Sequence, residues 1–370
     1  MTLPRLLNRF GCLLLCIGLG TAHADKLDDD LQTVWESLWD QRGTPRQLVR
    51  WGGPVLSYRI HGGDAARHKT HIESAVKAAA DIAGLALVNV SAQTDTGAAT
   101  MLDIEVVDDS ALQNNEPCLT RYPQIRDGAL RKVEVKMRSR DAWRCVYHEM
   151  MHAMGIAGHL SGRTVLSYFP YRCDVLMALD QLMLTAWYAP DMPRNATPLE
   201  ALLAPGRAVA GQPDLALAPG EASSRADAFN QRVLAQMEAL ASGQGEVPAI
   251  VRRAGKASEN YIDKARPMVA FFVGMAYFRG VIAPKNLVAS TPWFKRGAER
   301  GYVPAQMMWA SALIDGTGVE VDRPAGHAWM SLAAKTAIPS LVNSLALVET
   351  KMSSEELVKA RALPAPAVNP

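Results

Sequence analysis

A spacing of 36 residues recurs in the last third of the chain, and it restricts the possible folds more than any other feature. The pairs that share it are Gly280 and Gly316, Asn286 and Asp322, Ala289 and Ala325, Trp293 and Trp329, and Ala298 and Ala334. A period in the mid-thirties with glycine turns and small residues is typical of stacked helical hairpins. We therefore predict a C-terminal all-α solenoid of helical hairpins over residues 263–362, preceded by connecting helices over 226–262.

Two segments of this region resemble Sel-like repeats, which are related to tetratricopeptide repeats. Residues 315–319 read Asp-Gly-Thr-Gly-Val, and residues 325–334 place Trp329 between alanines, as units of that repeat do. The resemblance implies that the solenoid recruits a protein partner or a protein substrate. The last residues, 363–370, are rich in proline and alanine, and we predict a disordered tail there.

A second motif carries chemistry, because residues 148–152 read His-Glu-Met-Met-His. On a helix, His148 and His152 lie one turn apart on one face, where two neutral imidazoles can bind one zinc ion. Glu149 then lies beside the ion, in place to take a proton from a zinc-bound water. Gly155 and His159 follow, which indicates that the chain turns and returns a third ligand. The sequence thus predicts a Zn²⁺ site with His148, His152 and His159 as metal ligands.

Strand and helix patterns alternate before this motif. Periodicity predicts helices over 25–42 and 65–84, strands over 47–61, 85–90, 101–107 and 131–137, and then the helix that carries both histidines. Charged residues alternate with valines in 131–137, which favours an edge strand. Together with the segment after the motif, the prediction is an α+β domain over residues 25–203, with a mixed twisted sheet and a metal-binding helix.

The segment after the motif resembles the metzincin branch of the zincin metallopeptidases. Residues 164–168 read Thr-Val-Leu-Ser-Tyr, which is similar to the Ser-Val-Met-x-Tyr turn that lies under the metzincin zinc. Leu176, Asp180 and Tyr188 match the helix that follows this turn. The resemblance covers about residues 25–200 and is closest to a bacterial exported family of unknown function.

This resemblance implies a zinc-dependent endopeptidase. Glu149 would be the general base, and Tyr168 would ligate zinc or stabilise the oxyanion. An extended peptide substrate would pair with the edge strand, which in this prediction is 131–137, by β-augmentation.

Two positions depart from the metzincin pattern. The third ligand of metzincins usually lies six residues after the second histidine, which is Gly158 here, and His159 comes one residue later. Leu166 replaces the methionine of the turn, a nearly isosteric exchange at a packing position. Without His159, the coordination would be completed by Cys173, Asp174 or a water.

The N-terminus has the pattern of a cleaved signal peptide over residues 1–24. Arg5 and Arg9 precede a short apolar segment, and Ala22-His23-Ala24 fits the rule for a cleavage site. We expect export to the periplasm or beyond, as in a bacterial secreted protein. No later stretch reaches about 18 apolar residues, so no transmembrane segment is predicted.

Three cysteines follow the signal peptide: Cys118, Cys145 and Cys173. In an oxidising compartment two of them are expected to pair. We predict a disulfide between Cys118 and Cys145, which ties the loop before strand 131–137 to the start of the metal helix. A bond between Cys145 and Cys173 is the alternative.

Composition adds two limits. The net charge of +2 and the absence of a basic run give no reason to expect a nucleic-acid partner. Residues 204–225 are rich in proline, alanine and glycine, and we predict a linker there.

Two hypotheses of function follow. The first is an exported zinc endopeptidase whose C-terminal repeats bind a protein partner or substrate. The second is a catalytically inactive metzincin-like scaffold that acts as a periplasmic adaptor for protein interactions.

Overall fold

A computed structural model describes residues 26–40, 42–93, 97, 100–112, 116–167, 174–215, 217–253 and 255–369. The chain divides into two compact units: Met1–Gln41 with Arg46–Phe229, and Arg42–Pro45 with Asn230–Pro370. The predicted signal peptide over 1–24 lies outside the described residues.

The first unit contains a six-stranded sheet and five helices among its described residues. The strands are β1 (Arg50–Trp51), β2 (Val55–Gly62), β3 (Ala86–Asn89), β4 (Met101–Val107), β5 (Cys118–Arg126) and β6 (Ala129–Arg138). The helices are α1 (26–37), α2 (Ala65–Ile82), α3 (Ala142–Ala153), α4 (Ala178–Trp187) and α5 (Pro198–Ala210).

The sheet is mixed. β3, β2, β4 and β6 lie parallel in this order, β1 pairs in parallel with the first two residues of β6, and β5 pairs with β6 in the antiparallel direction. Side chains alternate between the faces of a strand, so one face collects the apolar residues. Ile104, Val133 and Val135 on that face are fully buried. Helix α3 packs against α2, β5 and β6.

The prediction that residues 131–137 form an edge strand is wrong. Val135 of β6 pairs with Ile104 of β4 on one side and with Thr120 of β5 on the other. The charges that suggested an edge are neutralised on the open face of the sheet, where Lys136 Nζ lies 2.7 Å from Glu105 Oε2 of β4. Among the described strands β5 pairs with β6 alone, so β5 is the edge on this side of the sheet and β3 is the edge on the other.

The predicted linker over 204–225 is also corrected, because much of it is helical. Helix α5 starts at a capping box formed by Thr197 and Glu200 and continues through Pro205. Proline has no N–H to donate to the carbonyl of Ala201, and the indole Nε1–H of Trp187 donates to that oxygen instead, at 2.8 Å. This exchange lets α5 continue where the composition indicated a linker.

Eight further helices lie between Glu221 and Ala362 in the described chain. They are α6 (Glu221–Ala241), α7 (Ala249–Arg253), α8 (Lys256–Arg279), α9 (Leu287–Glu299), α10 (Val303–Asp315), α11 (Arg323–Ala334), α12 (Pro339–Thr350) and α13 (Ser354–Ala362). The division between the two compact units falls inside α6, after Phe229. The predicted start of the repeats at residue 263 falls inside α8, which is continuous there.

Helices α8 and α9, and α10 and α11, form helical hairpins, as the 36-residue spacing predicted. The repeated positions are the helix ends. Gly280 and Gly316 are the left-handed C-caps of α8 and α10, with φ of 76° and 72°. Asn286 and Asp322 cap the N-termini of α9 and α11 by accepting a backbone N–H three residues on. The 36-residue period is therefore the distance along the sequence between the turn of one hairpin and the turn of the next.

The repeated tryptophans do not lie at the centre of the hairpins. Trp293 is half-buried and carries the guanidinium of Arg296 at 5.7 Å from its ring. Its neighbour Phe294, which is 1% exposed, fills the interior instead and lies over Gly274. Trp329 packs on the edge of a buried cluster formed by Ala310, Ile314, Met330 and Val348.

The predicted disordered tail, 363–370, has neither helix nor strand over its described residues. The N–H of Asn369 donates to the carbonyl of Glu299 at 2.8 Å, so this part of the tail is bound to α9 rather than disordered. Throughout the described part of the chain, no helix combines the length and the apolar character needed to cross a membrane.

Candidate metal centre

Helix α3 presents one buried face to the sheet and carries the motif His148 to His152. Val146, Met150 and Ala153 of this face are at most 1% exposed. At its first turn, Cys145 forms a disulfide with Cys118 at the start of β5, with the two Cα atoms 6.3 Å apart. The helix that holds the motif is therefore tied to the edge strand three residues before His148.

The three predicted metal ligands meet at one point. His148 Nε2 lies 3.1 Å from His152 Nε2 and 3.1 Å from His159 Nε2. One nitrogen from each ring lies within 4.8 Å of the others. Among the His, Cys, Asp and Glu side chains of the described residues, these three histidines are the group close enough together to hold a metal ion. His152 is buried, and His148 and His159 are half-buried.

Hydrogen bonds to the backbone determine which nitrogen of each motif histidine is free. His148 Nδ1 lies 2.8 Å from the carbonyl of Val165, and His152 Nδ1 lies 2.5 Å from the carbonyl of Ile156. A carbonyl only accepts, so each Nδ1 is the donor and each Nε2 carries a lone pair. Two lone pairs that face each other at 3.1 Å repel, and a cation between the rings removes that repulsion. The residues present therefore fit a zinc ion.

Burial also keeps the three rings in the neutral form that binds metal. It lowers the pKa of His148, lowers the pKa of His152 well below its ordinary value, and lowers the pKa of His159 to about 4. A metal ligand must be unprotonated. At neutral pH all three imidazoles meet this condition.

Glu149 follows the first histidine and is 3% exposed. Thr120 Oγ1, on β5, donates to Glu149 Oε2 at 2.5 Å. Burial raises the pKa of Glu149 to about 7, against the opposing effect of the hydrogen bond from Thr120. A carboxyl group with its pKa near the working pH is suited to take up and release a proton.

The turn that holds His148 in place is anchored by Asp180, which is fully buried near the start of α4. Its carboxylate accepts hydrogen bonds from Thr164 Oγ1 at 2.5 Å, from the N–H of Val165 at 3.1 Å and from the N–H of Met177 at 2.9 Å. Val165 in turn receives the Nδ1–H of His148 on its carbonyl. Asp180 thus orients His148, a predicted metal ligand, through one intervening residue, as outer-shell groups do in metal sites.

Two glycines bring His159 to the cluster despite its offset of one residue. Gly155 has φ of 107°, and a Cβ there would lie 2.1 Å from the carbonyl oxygen of Val49. Gly158, where the metzincin pattern places the ligand, packs so closely that a Cβ would lie 2.5 Å from the carbonyl oxygen of Trp39. Gly158 thus packs against Trp39, and the imidazole of the next residue, His159, lies beside that of His148.

Helix α1 fixes the loop directly after His159. Glu36, which is 1% exposed, accepts hydrogen bonds from the N–H of Ser161 at 3.1 Å and from its Oγ at 2.8 Å. Thr33 Oγ1 donates to the carbonyl of Ser161 at 2.8 Å. A helix that the sequence predicted from its periodicity alone therefore holds one side of the site.

The remaining predicted site residues have varied outcomes. Tyr168 and Cys173 lie outside the described residues. Asp174 is exposed and is not part of the histidine cluster. Leu166 is fully buried, in line with a packing role for this position of the turn.

Two residues of the site were missed by the sequence patterns. Thr120 binds Glu149, and Tyr122 OH donates to the carbonyl of His152 at 2.7 Å. Both belong to β5, which no pattern predicted. The only available signal was their spacing of two and four residues from Cys118, which becomes informative once the pairing with Cys145 and the strand are known.

Comparison with models of known protein families finds no match, and comparison with curated proteins finds none either. Solved structures similar to this chain include the protective antigen c5321 of uropathogenic Escherichia coli, described as displaying an SLR fold. It shows 18% identity over 59% of this chain and 51% of that chain, with a TM-score of 0.26. Another is a Sel1 repeat protein from Oxalobacter formigenes, with 15% identity over 50% of this chain and 72% of that chain, and a TM-score of 0.23. The match spans about half the length of the first of these proteins.

Proposed function

We propose that the chain is an exported zinc-dependent endopeptidase, with Zn²⁺ bound by His148, His152 and His159. One observation carries the proposal: the Nε2 atoms of three histidines converge, and two of them have Nδ1 bonded to a backbone carbonyl. Such an arrangement of neutral imidazoles is the donor set that zinc prefers, and three protein ligands leave one position open for catalysis.

A bound zinc ion supplies Lewis-acid chemistry, because it polarises a carbonyl and lowers the pKa of water to about 7. Glu149 takes the proton from the attacking water and passes it to the leaving amine. Tyr168 is proposed to stabilise the oxyanion, and its removal tests this role separately.

An extended peptide substrate is proposed to pair with β5. This strand replaces 131–137 as the edge beside the motif helix, and it carries Thr120 and Tyr122, which contact Glu149 and His152. Pro123 lies in the middle of β5 and has no N–H to donate. We therefore place substrate pairing on the residues before it, 118–122.

The helical hairpins are proposed to bind a protein partner or a protein substrate. Several large apolar side chains of this unit are exposed, including Val288 at 70% and Leu347 at 61%. The Sel-like residues 315–319 and 325–334 support this proposal, and the exposed side chains are available to a partner.

The substitution Glu149→Gln tests the peptidase. With a casein-type substrate and zinc-loaded chain, we expect kcat/KM to fall by at least about 100-fold because the base is lost, while zinc remains bound. Glu320→Gln is the matched control, since Glu320 is exposed and lies in the other compact unit. If zinc-loaded wild-type chain cleaves no peptide, or Glu149→Gln cleaves as fast as wild type, the enzyme proposal fails and the adaptor hypothesis is favoured.

A further inference from the structure

One face of β5 is joined to α3 at three successive points. A strand places alternate residues on one face, and a helix places residues four and three apart on one face. The three contacts are the Cys118–Cys145 disulfide, the hydrogen bond from Thr120 to Glu149, and the hydrogen bond from Tyr122 to the carbonyl of His152.

The spacings of the two elements match. Two residues advance a strand by about 6.6 Å, and the helix steps from 145 to 149 and from 149 to 152 rise by about 6.0 and 4.5 Å. The strand and the helix therefore run side by side in the same direction, and the first contact brings the next two into register. The middle contact is the one that touches a reacting group of the proposed mechanism.

Glu149 depends on this contact for its orientation. Its side chain is 3% exposed, and among the described residues Thr120 is its hydrogen-bonding side-chain partner, through Oε2. A buried carboxylate needs such a partner, because losing water without a replacement is costly. Oε2 is held by Thr120, whereas Oε1 has no side-chain partner shown among the described residues, so we take Oε1 as the oxygen that receives a proton.

We propose that Thr120 is a positioning residue for Glu149. The hydroxyl of Thr120 fixes one carboxylate oxygen of Glu149, so that the other oxygen faces the attacking water. This inference rests on the proposed function, since it assigns Glu149 the role of base. It differs from a purely structural role of Thr120, because it requires that every effect of the hydroxyl on the site passes through the carboxylate of Glu149.

The test compares Thr120→Val, which keeps the shape and removes the hydroxyl, with Thr120→Ser, which keeps the hydroxyl. Thr185→Val is the matched control, because Thr185 is exposed and its hydroxyl bonds within α4. Each change at position 120 is also made in a Glu149→Ala background. The readouts are zinc affinity, binding of acetohydroxamate to the zinc-loaded chain by calorimetry, and kcat and KM. Acetohydroxamate chelates zinc and can donate a hydrogen bond to a carboxylate beside the metal.

We expect Thr120→Val to weaken acetohydroxamate binding by at least about fivefold, the effect of losing one hydrogen bond. It should lower kcat by a similar factor, with KM and zinc affinity within about twofold of wild type. Thr120→Ser and Thr185→Val should remain within about twofold. In the Glu149→Ala background, Thr120→Val should change acetohydroxamate binding by less than about twofold, because the coupled partner is gone.

An equal loss of acetohydroxamate binding in both backgrounds would show that Thr120 acts without Glu149 and would overturn the proposal, as would an unchanged affinity in Thr120→Val. If Thr120→Val does not fold, Thr120→Ala in both backgrounds gives the same comparison. A wild-type chain that binds zinc and acetohydroxamate but cleaves no peptide would defeat the proposed function alone, since the binding data still decide the role of Thr120. A wild-type chain that binds no zinc would defeat both.

Discussion

At the scale of single residues, the site depends on side chains that bind the backbone as much as on those that face the metal position. His148 and His152 each use Nδ1 to hold a carbonyl, so their free nitrogens are determined before any ion arrives. Asp180 stabilises the turn that supplies the first of these carbonyls. Zinc affinity should therefore depend on Asp180, although Asp180 is not itself a predicted ligand.

Asp180→Asn tests this dependence. The amide would place an N–H group against a donor, so we expect the free energy of unfolding to fall by about 1–3 kcal/mol. Zinc affinity should fall by about 10-fold or more, as it does when an outer-shell partner of a metal ligand is removed. Urea unfolding and a competitive zinc titration measure the two effects. Asp81→Asn, at an exposed position of α2, is the control, and equal behaviour of the two variants would contradict the role given to Asp180.

The convergence of the histidines and the position of Glu149 could be predicted from the sequence, because most of these residues belong to one local motif. His159 was predicted with an offset of one residue, and the reason it still reaches the cluster is the close packing of Gly158 on Trp39, which involves residues 119 positions apart in the chain. Thr120 could not be predicted at all. A threonine in a strand without regular apolar alternation carries no signal until the strand is placed beside α3.

At the scale of elements, the pairing of β5 with α3 organises the site. The sequence of β5 contains a proline and two arginines, has no regular alternation of apolar residues, and most of its side chains are exposed. Such a segment does not resemble a buried strand, which is why it was missed. The alternating charges of β6 favour an edge strand, whereas in the structure they are paired across the open face of a sheet that continues on both sides.

The disulfide should contribute strongly to this pairing. Cys118 and Cys145 are 27 residues apart, and closing a loop of that length is expected to stabilise the fold by about 3–4 kcal/mol. We expect the double variant Cys118→Ser/Cys145→Ser to lose roughly this free energy of unfolding in urea. A reducing agent should destabilise the wild type and leave the double variant unchanged. A loss below about 1 kcal/mol would show that the other contacts between β5 and α3 suffice.

At the scale of the whole molecule, the described chain divides into two compact units. The helical hairpins of the second could be predicted because their repeated residues are helix caps, whose roles are local. The limits of the units could not be predicted, because the proline-rich segment that suggested a linker is helical. Trp187 donates to the carbonyl that Pro205 leaves without a backbone partner.

Zinc should therefore stabilise one unit and leave the other unchanged. With zinc at about 100 times its dissociation constant, the unit that binds it gains about 2.7 kcal/mol. Hydrogen exchange should slow in α3 and the loop through His159 when zinc replaces a chelator. Exchange in α8 to α11 should stay the same. Equal slowing in both regions would contradict a zinc site confined to the histidine cluster.

We propose that His148, His152 and His159 together hold one zinc ion, and elemental analysis of the purified mature chain measures this zinc content. After exposure to zinc and removal of the excess, the wild type should contain a single zinc ion per chain. His61→Ala, a control on β2 whose ring bonds Asp103 of β4, should contain the same amount, and His152→Ala should contain almost none. A wild type with much less than one zinc ion per chain, or a His152→Ala variant that keeps its full content, would contradict the account.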